Sequence, residues 1–395
     1  SSYQSAVTKY KDLKQRNADT IREQDFTIEE PYRYEEPVLE NSIKDYFDIE
    51  KWKEVAKECS GIFAEDKSFT EGKVGINFTI ERKYYLTSEG TRVIQNQTLA
   101  GFSIQAEYVT SGGEVIPYSD AVYADFPDRL PSPSELKEMV LNVKNNLIAL
   151  GEAPKAEPYT GPAILAAPVT GVFFHEIFGH RIEGHRLRSV HDGQTFKERI
   201  GDRVISEHVS VISDPTVKEF RGLPLNGYYK YDDEGIPGSR VTVVEHGIMK
   251  NFLMSRIPVD KQVKSNGHGR ASSYADPVSR QSNMFIESDK SYSEADLRKM
   301  LIRECKKQKL EYGYYIAKVT GGYTQTDRYN TNTFNINPLL VYRIYTDGRP
   351  DELVRNVSLI GTPLVMFSGI KAVGQDKDVF NGICGAESGG VPVAT

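Results

Sequence analysis

The sequence predicts an α+β protein, in which an N-terminal α/β domain with an antiparallel sheet and helices precedes a mostly β C-terminal domain that carries one His-rich helix. Three observations support this fold class. A period-2 pattern dominates residues 70–127. Apolar residues at helical 3/4 spacing flank that region on both sides. Short β-like runs separated by turns fill most of the second half of the chain.

The composition indicates a soluble globular protein. Hydrophobic residues make up 39% of the 395 positions and charged residues 26%, which excludes disorder over the whole chain. No run approaches the roughly 18 apolar residues of a membrane span. The net charge of -6 argues against direct binding of nucleic acid. With only three Cys and no visible signal peptide, we expect no disulfide framework and a cytoplasmic protein.

The N-terminal region is predicted to contain an arm and then a helix. Residues 1–40 are polar, and we expect a short helix near residues 5–15 followed by an extended stretch. Residues 41–60 are predicted to be helical, since apolar residues recur on one face at Trp52, Val55, Ala56 and Cys59. Cys59 is therefore expected to be a core residue.

The next elements are an antiparallel meander and a helix with clear boundary signals. Alternating residues between 70 and 127, interrupted by Gly-containing turns, predict the meander. Ser132 is a suitable N-cap for the helix, with Pro133 at the first helical position and Glu135 completing a capping box. Gly151 is expected to end this helix.

Three Pro residues within 152–162 predict a domain boundary there. The division is then an arm (1–40), an N-terminal domain (41–155) and a C-terminal domain (156–395). In the C-terminal domain one helix is predicted from Glu294 to Lys309, with Cys305 on its buried face. The β-like runs of this domain are residues 203–212, 240–245, 249–254, 339–345 and 353–360.

The strongest chemical signal is a group of three His within residues 175–185, in a chain with seven His. His175, Glu176 and His180 form an H-E-x-x-x-H motif, which is one residue longer than the H-E-x-x-H motif of zincins. Side chains five residues apart on an ideal helix point roughly 140° away from each other. Both imidazoles therefore reach one ion only if the helix departs from ideal geometry, by a π-type bulge or by a distortion or end at Gly179.

The chemistry that this motif favours is metal-assisted hydrolysis. Two neutral imidazoles and a third ligand would bind Zn²⁺, and Glu176 would take a proton from the activated water. Buried or capped helix His without a metal is the competing interpretation. Residue types leave the third ligand open between His185, which is close in sequence, and Cys384, which lies in a Gly-rich segment predicted to be a loop. A thiolate is a good zinc ligand, although a free Cys is usually a small buried hydrophobe.

Two segments carry a resemblance to a known family. Residues 171–184 read GVFFHEIFGHRIEG, and residues 384–393 read CGAESGGVPV. They resemble the His-Glu-x-x-Gly-His…Leu-Glu-Gly and Cys-Gly-Lys-x-Gly-Gln-x-Val-Pro-Val patterns of the TldD/PmbA metalloprotease family, also named modulators of DNA gyrase. The resemblance covers 161–393 and is closest to the TldD side, which keeps the metal motif. Shorter matching segments follow in the family's order at residues 232–237, 245–251, 266–283, 321–322 and 360–361.

The resemblance implies a zinc metallopeptidase with His175, His180 and Cys384 as ligands and Glu176 as general base. It also implies unfolded or extended polypeptide substrates, which are trimmed as precursors or degraded. The implied assembly is a homodimer or a heterodimer with a PmbA-like subunit that lacks the His motif. His185 stands where TldD-like sequences usually have Asp, so it is a candidate additional ligand or substrate contact.

Other assignments stay open at this point. Arg270 and Tyr274 are candidate substrate contacts, although a salt-bridged, packed loop explains them equally well. The alternative function is a non-catalytic protein-binding regulator or partner subunit, which would have no use for Glu176 beside a ligand. A third hypothesis makes Cys384 a nucleophile with a His base.

Overall fold

A computed structural model describes residues 3–5, 7–8, 11, 26–39, 42–188, 192, 195–259, 264–326 and 334–395. The helix predicted near residues 5–15 lies largely outside the described residues. None of the helices in these ranges is both long and apolar enough to cross a membrane. The predicted α+β class is confirmed.

Helices and strands of the described ranges have the following bounds. The helices are α1 (Ile43–Tyr46), α2 (Ile49–Ala64), α3 (Pro133–Glu152), α4 (Ala167–Ile177), α5 (Glu294–Lys307) and α6 (Pro363–Gly369). The strands are β1 (Arg33–Glu35), β2 (Phe69–Leu86), β3 (Arg92–Val109), β4 (Val115–Ala124), β5 (Ala163–Leu165), β6 (Val209–Ser213), β7 (Glu219–Phe220), β8 (Leu223–Pro224), β9 (Val241–Glu245), β10 (Ile248–Met249), β11 (Gly269–Arg270), β12 (Val278–Ser279), β13 (Met284–Ser288), β14 (Tyr312–Thr324), β15 (Phe334–Tyr345), β16 (Glu352–Val354), β17 (Leu359–Gly361), β18 (Asn381–Ala386) and β19 (Gly389–Ala394).

The first sheet is the predicted meander with one strand added. Strands β2, β3 and β4 pair antiparallel in chain order, and β1 from the N-terminal arm pairs in parallel with β3. The single helix predicted over 41–60 is divided in two. The Asp48 side chain accepts hydrogen bonds from two amides of the first turn of α2, so a new helix begins there. Trp52, Val55 and Cys59 face the core as predicted.

Helix α3 has the predicted boundaries to within one residue. The Ser132 hydroxyl accepts a hydrogen bond from the Glu135 amide, and the Glu135 carboxylate accepts one from the Ser132 amide, which is the predicted capping box. The apolar faces of α2 and α3 pack on the first sheet in one hydrophobic cluster.

A second hydrophobic cluster surrounds α4. Strands β16, β15, β14 and β5 lie side by side in that order, with β17 also paired to β15, and β5 runs parallel to β14. A second sheet has the order β10-β9-β6-β13. Three of the predicted β-like runs differ in the structure. The runs 203–212 and 249–254 pair regularly only at β6 and β10, and the run 353–360 is divided between β16 and β17. The domain bounds at 41–155 and 156–395 stay a prediction.

Candidate metal centre

The His motif lies where α4 ends. This helix stops at Ile177, Phe178 has φ -120° and ψ -50°, and Gly179–Arg181 forms one 3₁₀ turn. The change in backbone direction brings the rings of His175 and His180 to a centroid distance of 5.0 Å at an interplanar angle of 86°. The predicted departure from helical geometry is confirmed as a helix end, and the alternative of a π-type bulge is wrong.

Gly179 is needed at this helix end for steric reasons. A Cβ at position 179 would overlap the side-chain amide of Gln281. The same amide donates a hydrogen bond to the main-chain carbonyl of His175 at 3.4 Å. Gln281 thus packs directly against the turn that carries both imidazoles.

Cys384 lies on β18, in a hairpin with β19, and the prediction that it lies on a loop is wrong. The residue is buried, and its neighbours in that hairpin are Val391 and Val393. Its Sγ lies 3.1 Å from Nε2 of His175 and 3.4 Å from Nε2 of His180. The structure therefore brings the three predicted ligands together, with one ligand atom from each within 4.8 Å of the others.

These three atoms fit a tetrahedral metal ion. Bonds of about 2.0–2.1 Å to nitrogen and 2.3 Å to sulfur place N and S roughly 3.5 Å apart in a tetrahedral set. Burial raises the pKa of the Cys384 thiol, but the adjacent imidazoles of His175 and His180 outweigh it and hold that pKa well below its usual range. Two imidazoles and a thiolate leave a fourth position open, as in catalytic zinc sites.

A buried carboxylate orients one of the imidazoles. Oε2 of Glu183 lies 3.1 Å from Nδ1 of His180 and accepts a hydrogen bond from Nε of Arg186 at 2.9 Å. Burial raises the pKa of Glu183, but His180 and Arg186 oppose it and keep that pKa well below its usual range. With Nδ1–H donating to this carboxylate, Nε2 of His180 is left as an acceptor facing Cys384.

Glu176 is placed to act on a molecule bound at the centre. Its Oε2 lies 4.0 Å from Nε2 of His180 and, within the described ranges, is buried without a hydrogen-bond partner. Burial raises the pKa of Glu176, while His175 and His180 lower it in part. A carboxylate oxygen without a partner, beside three convergent ligand atoms, is a suitable proton acceptor for a water molecule.

His185 is placed outside the three-residue cluster. Its Nε2 bonds to the carboxylate of Glu387, in the turn between β18 and β19, and Arg186 donates to the other oxygen of Glu387 at 3.0 Å. Its Nδ1 is buried without a hydrogen-bond partner in the part of the chain that the structure describes.

The two candidate substrate contacts have different surroundings. The Arg270 guanidinium is buried and donates to the main-chain carbonyls of Gln281 and Pro392, both at 2.7 Å. These internal contacts agree with the packed-loop interpretation. Tyr274 is fully exposed, in the left-handed region at φ 74°.

Sequence reasoning missed the residues that surround the ligands. Residues 279–283 read SRQSN and give no sign of burial, yet all five are buried. Arg280 is one of them and lies 3.4 Å from Glu183. The only signal for Arg280 was its place in one of the weaker family-like segments.

Comparisons with known proteins agree with this geometry. A family model described as the PmbA/TldA metallopeptidase C-terminal domain matches residues 158–392. A metalloprotease of Methanocaldococcus jannaschii is 30% identical over 257 residues, which are 65% of this chain and 52% of that protein. A zinc metalloprotease TldD homolog of Saccharolobus solfataricus is 25% identical over 309 residues, 77% of this chain and 64% of that protein. The chain thus spans about half to two thirds of these relatives.

The fold is also that of a solved structure. TldE from Thermococcus kodakarensis superimposes with a TM-score of 0.61 at 17% identity, covering 96% of this chain and 80% of TldE. At this identity the similarity establishes the fold.

Proposed function

Because this chain belongs to the PmbA/TldD metallopeptidase family, we propose that it is a zinc-dependent peptidase that cleaves unfolded or extended polypeptides. The observation that carries this proposal is the convergence of His175, His180 and Cys384 beside Glu176, whose buried Oε2 has no hydrogen-bond partner in the described ranges. The name of the S. solfataricus relative supports zinc as the metal.

The proposed roles follow from the positions of the side chains. His175, His180 and Cys384 would hold the metal, which when bound supplies polarisation of the substrate carbonyl and a lowered pKa for water. Glu176 accepts the proton of the water whose oxygen attacks the carbonyl carbon. It returns that proton to the leaving nitrogen as the C–N bond breaks, and its burial raises its pKa, which suits a group that must both take and give a proton.

A stretch of sheet edge without a strand partner supports the preference for extended substrates. Strand β5 pairs with β14 only over residues 314–316, and within the described ranges no strand pairs with that edge further along. β14 continues to Thr324 and passes Glu176 at Gly322. A polypeptide that adds to this edge would present main-chain carbonyls to Glu176 with little dependence on its side chains.

The proposed assembly is a dimer of this chain with itself or with a PmbA-like subunit. The likeness to TldE supports this, because two subunits with one fold can form related surfaces. A cytoplasmic location belongs to the same proposal and is supported by three free cysteines.

Glu176→Gln tests the catalytic proposal, because glutamine keeps the shape of the side chain and cannot accept the proton. We expect peptidase activity on an unfolded, labelled protein to fall by roughly 10²–10⁴-fold, while the zinc content stays unchanged. The exposed Glu54→Gln is the control and should keep full activity. Zinc-loaded wild type that cleaves no unfolded protein would favour the non-catalytic regulator. Glu176→Gln that cleaves normally would contradict the role of Glu176 as general base.

A further inference from the structure

We infer that Arg280 is a positioning residue that preassembles the metal centre, because it holds the main chain of Cys384 and pairs with the carboxylate that orients His180. This inference rests on the proposed metallopeptidase function. It concerns a residue that lies outside the ligand set.

Arg280 first fixes the hairpin that carries the thiol. Its NH2 group donates to the carbonyl of Cys384 at 2.7 Å, and its NH1 group donates to the Ser388 hydroxyl at 2.8 Å and to the Gly389 carbonyl at 3.0 Å. These acceptors lie on β18, in the turn and at the start of β19. A planar guanidinium matches several fixed acceptors at once, whereas a lysine ammonium on its flexible stem does not.

Arg280 also contacts the segment that carries the two His ligands. Its Nε lies 3.4 Å from Oε1 of Glu183, and the other oxygen of Glu183 lies 3.1 Å from Nδ1 of His180. One side chain thus connects the main chain of Cys384 to the carboxylate that sets the orientation of His180. The two ligand segments are far apart in sequence, and Arg280 joins them in addition to the bonds that His185 and Arg186 form with Glu387.

The burial of the Arg280–Glu183 pair indicates that the pair serves to fix the geometry of the metal centre. The side chains of Arg280 and Glu183 are both 0% exposed, and burial of an ion pair usually contributes little net stability. A pair of this kind is better explained by the geometry that it fixes. If the ligands are ordered before the metal arrives, less conformational entropy is lost on binding, so the affinity for the metal is higher.

Arg280→Lys and Glu183→Gln test the inference in the purified full chain. We expect each to weaken Zn²⁺ binding, measured by competition with a chelator, by about 10–100-fold. With Co²⁺ as the probe, we expect Arg280→Lys to lower the thiolate-to-metal charge-transfer absorption. Because the two residues act as a unit, the double variant should lose less affinity than the product of the single losses.

Arg270→Lys is the matched control. Arg270 is also a buried arginine, and it braces the same hairpin through the Pro392 carbonyl, but it donates to neither Cys384 nor Glu183. We expect it to lower thermal stability and to leave the Zn²⁺ affinity within about three-fold of wild type.

Several results would overturn the inference. In one, wild type binds zinc, and Arg280→Lys binds it equally tightly and keeps the charge-transfer band. In another, Arg270→Lys loses as much zinc affinity as Arg280→Lys. If Arg280→Lys does not fold, Glu183→Gln decides, and unchanged affinity in that variant contradicts the inference. Wild type without metal would instead overturn the proposed function on which the inference rests.

Discussion

Gly322 lies against Glu176 so closely that a Cβ at position 322 would be 2.8 Å from Cγ of Glu176 and 2.9 Å from the Asn335 carbonyl oxygen. The missing side chain on β14 leaves room for the Glu176 carboxylate between this strand and the end of α4. Any side chain at position 322 must displace Glu176 or the backbone of β15.

Gly322→Ala should therefore impair catalysis while leaving the metal in place. Displacement of a catalytic group by about 1 Å can cost on the order of 10²-fold in rate, and we expect kcat to fall by roughly 10–10²-fold. Zinc content should be unchanged, because the contacts at Gly322 involve none of the ligands. Gly369→Ala, where a Cβ meets nothing within 4 Å, is the control. An unchanged kcat in Gly322→Ala would show that the exact position of Glu176 is unimportant.

The three cysteines should differ in their reaction with iodoacetamide. Cys59 and Cys305 are buried, and burial raises the pKa of both thiols. The imidazoles beside Cys384 lower its pKa, so after removal of metal with a chelator we expect it to react first. Added zinc should protect it, and peptide mass mapping identifies the modified residue.

The same experiment separates the metal hypothesis from the nucleophile hypothesis. If Cys384 were a nucleophile, alkylation would inactivate protein that keeps its zinc. Alkylation of the zinc-loaded protein at Cys384 would therefore contradict its role as a ligand.

A buried acidic turn next to the first sheet predicts a pH dependence of stability. Burial raises the pKa of Glu234 to about 7, with Asp233 and Glu29 adding to the effect and Arg256 opposing it. The folded state then holds a proton that the unfolded chain releases above about pH 4.5. The associated stability is present below pH 4.5 and is lost as the pH rises to about 7, by at most roughly 3 kcal/mol.

Urea unfolding of the metal-free protein at about pH 5 and about pH 8 measures this loss. Glu234→Gln should reduce the difference, because glutamine does not titrate. The neighbouring Asp232 is also buried with a raised pKa, so part of the difference should remain. Equal pH dependence in wild type and Glu234→Gln would contradict the assignment.

Local patterns predicted the first part of the fold well. The capping box at Ser132 and the alternation of β2 and β3 are encoded by neighbouring residues, so both could be read from the sequence. Strand β14 was missed, because Gly321 and Gly322 interrupt its pattern and its partners β5 and β15 come from other parts of the chain.

The residues of the metal centre likewise fall into those that the sequence predicted and those that it did not. Residue types pointed to His175, His180 and Glu176 and left the third ligand open between His185 and Cys384. The resemblance then favoured Cys384. Contacts between distant segments determine the rest, including the Arg280 and Glu183 pair, which lies in a buried polar region that hydropathy alone assigns to the surface.

The zinc content of the purified protein, measured by elemental analysis, tests the proposed metal centre most directly. Wild type is compared with His175→Ala, Cys384→Ser and, as a control, His208→Ala, a half-exposed His that bonds to Asp289. We expect about one zinc per chain in wild type and in His208→Ala, and loss of the metal in the other two variants. Wild type without zinc after purification in zinc-containing buffer, or zinc retained in both His175→Ala and Cys384→Ser, would contradict the proposed metal centre.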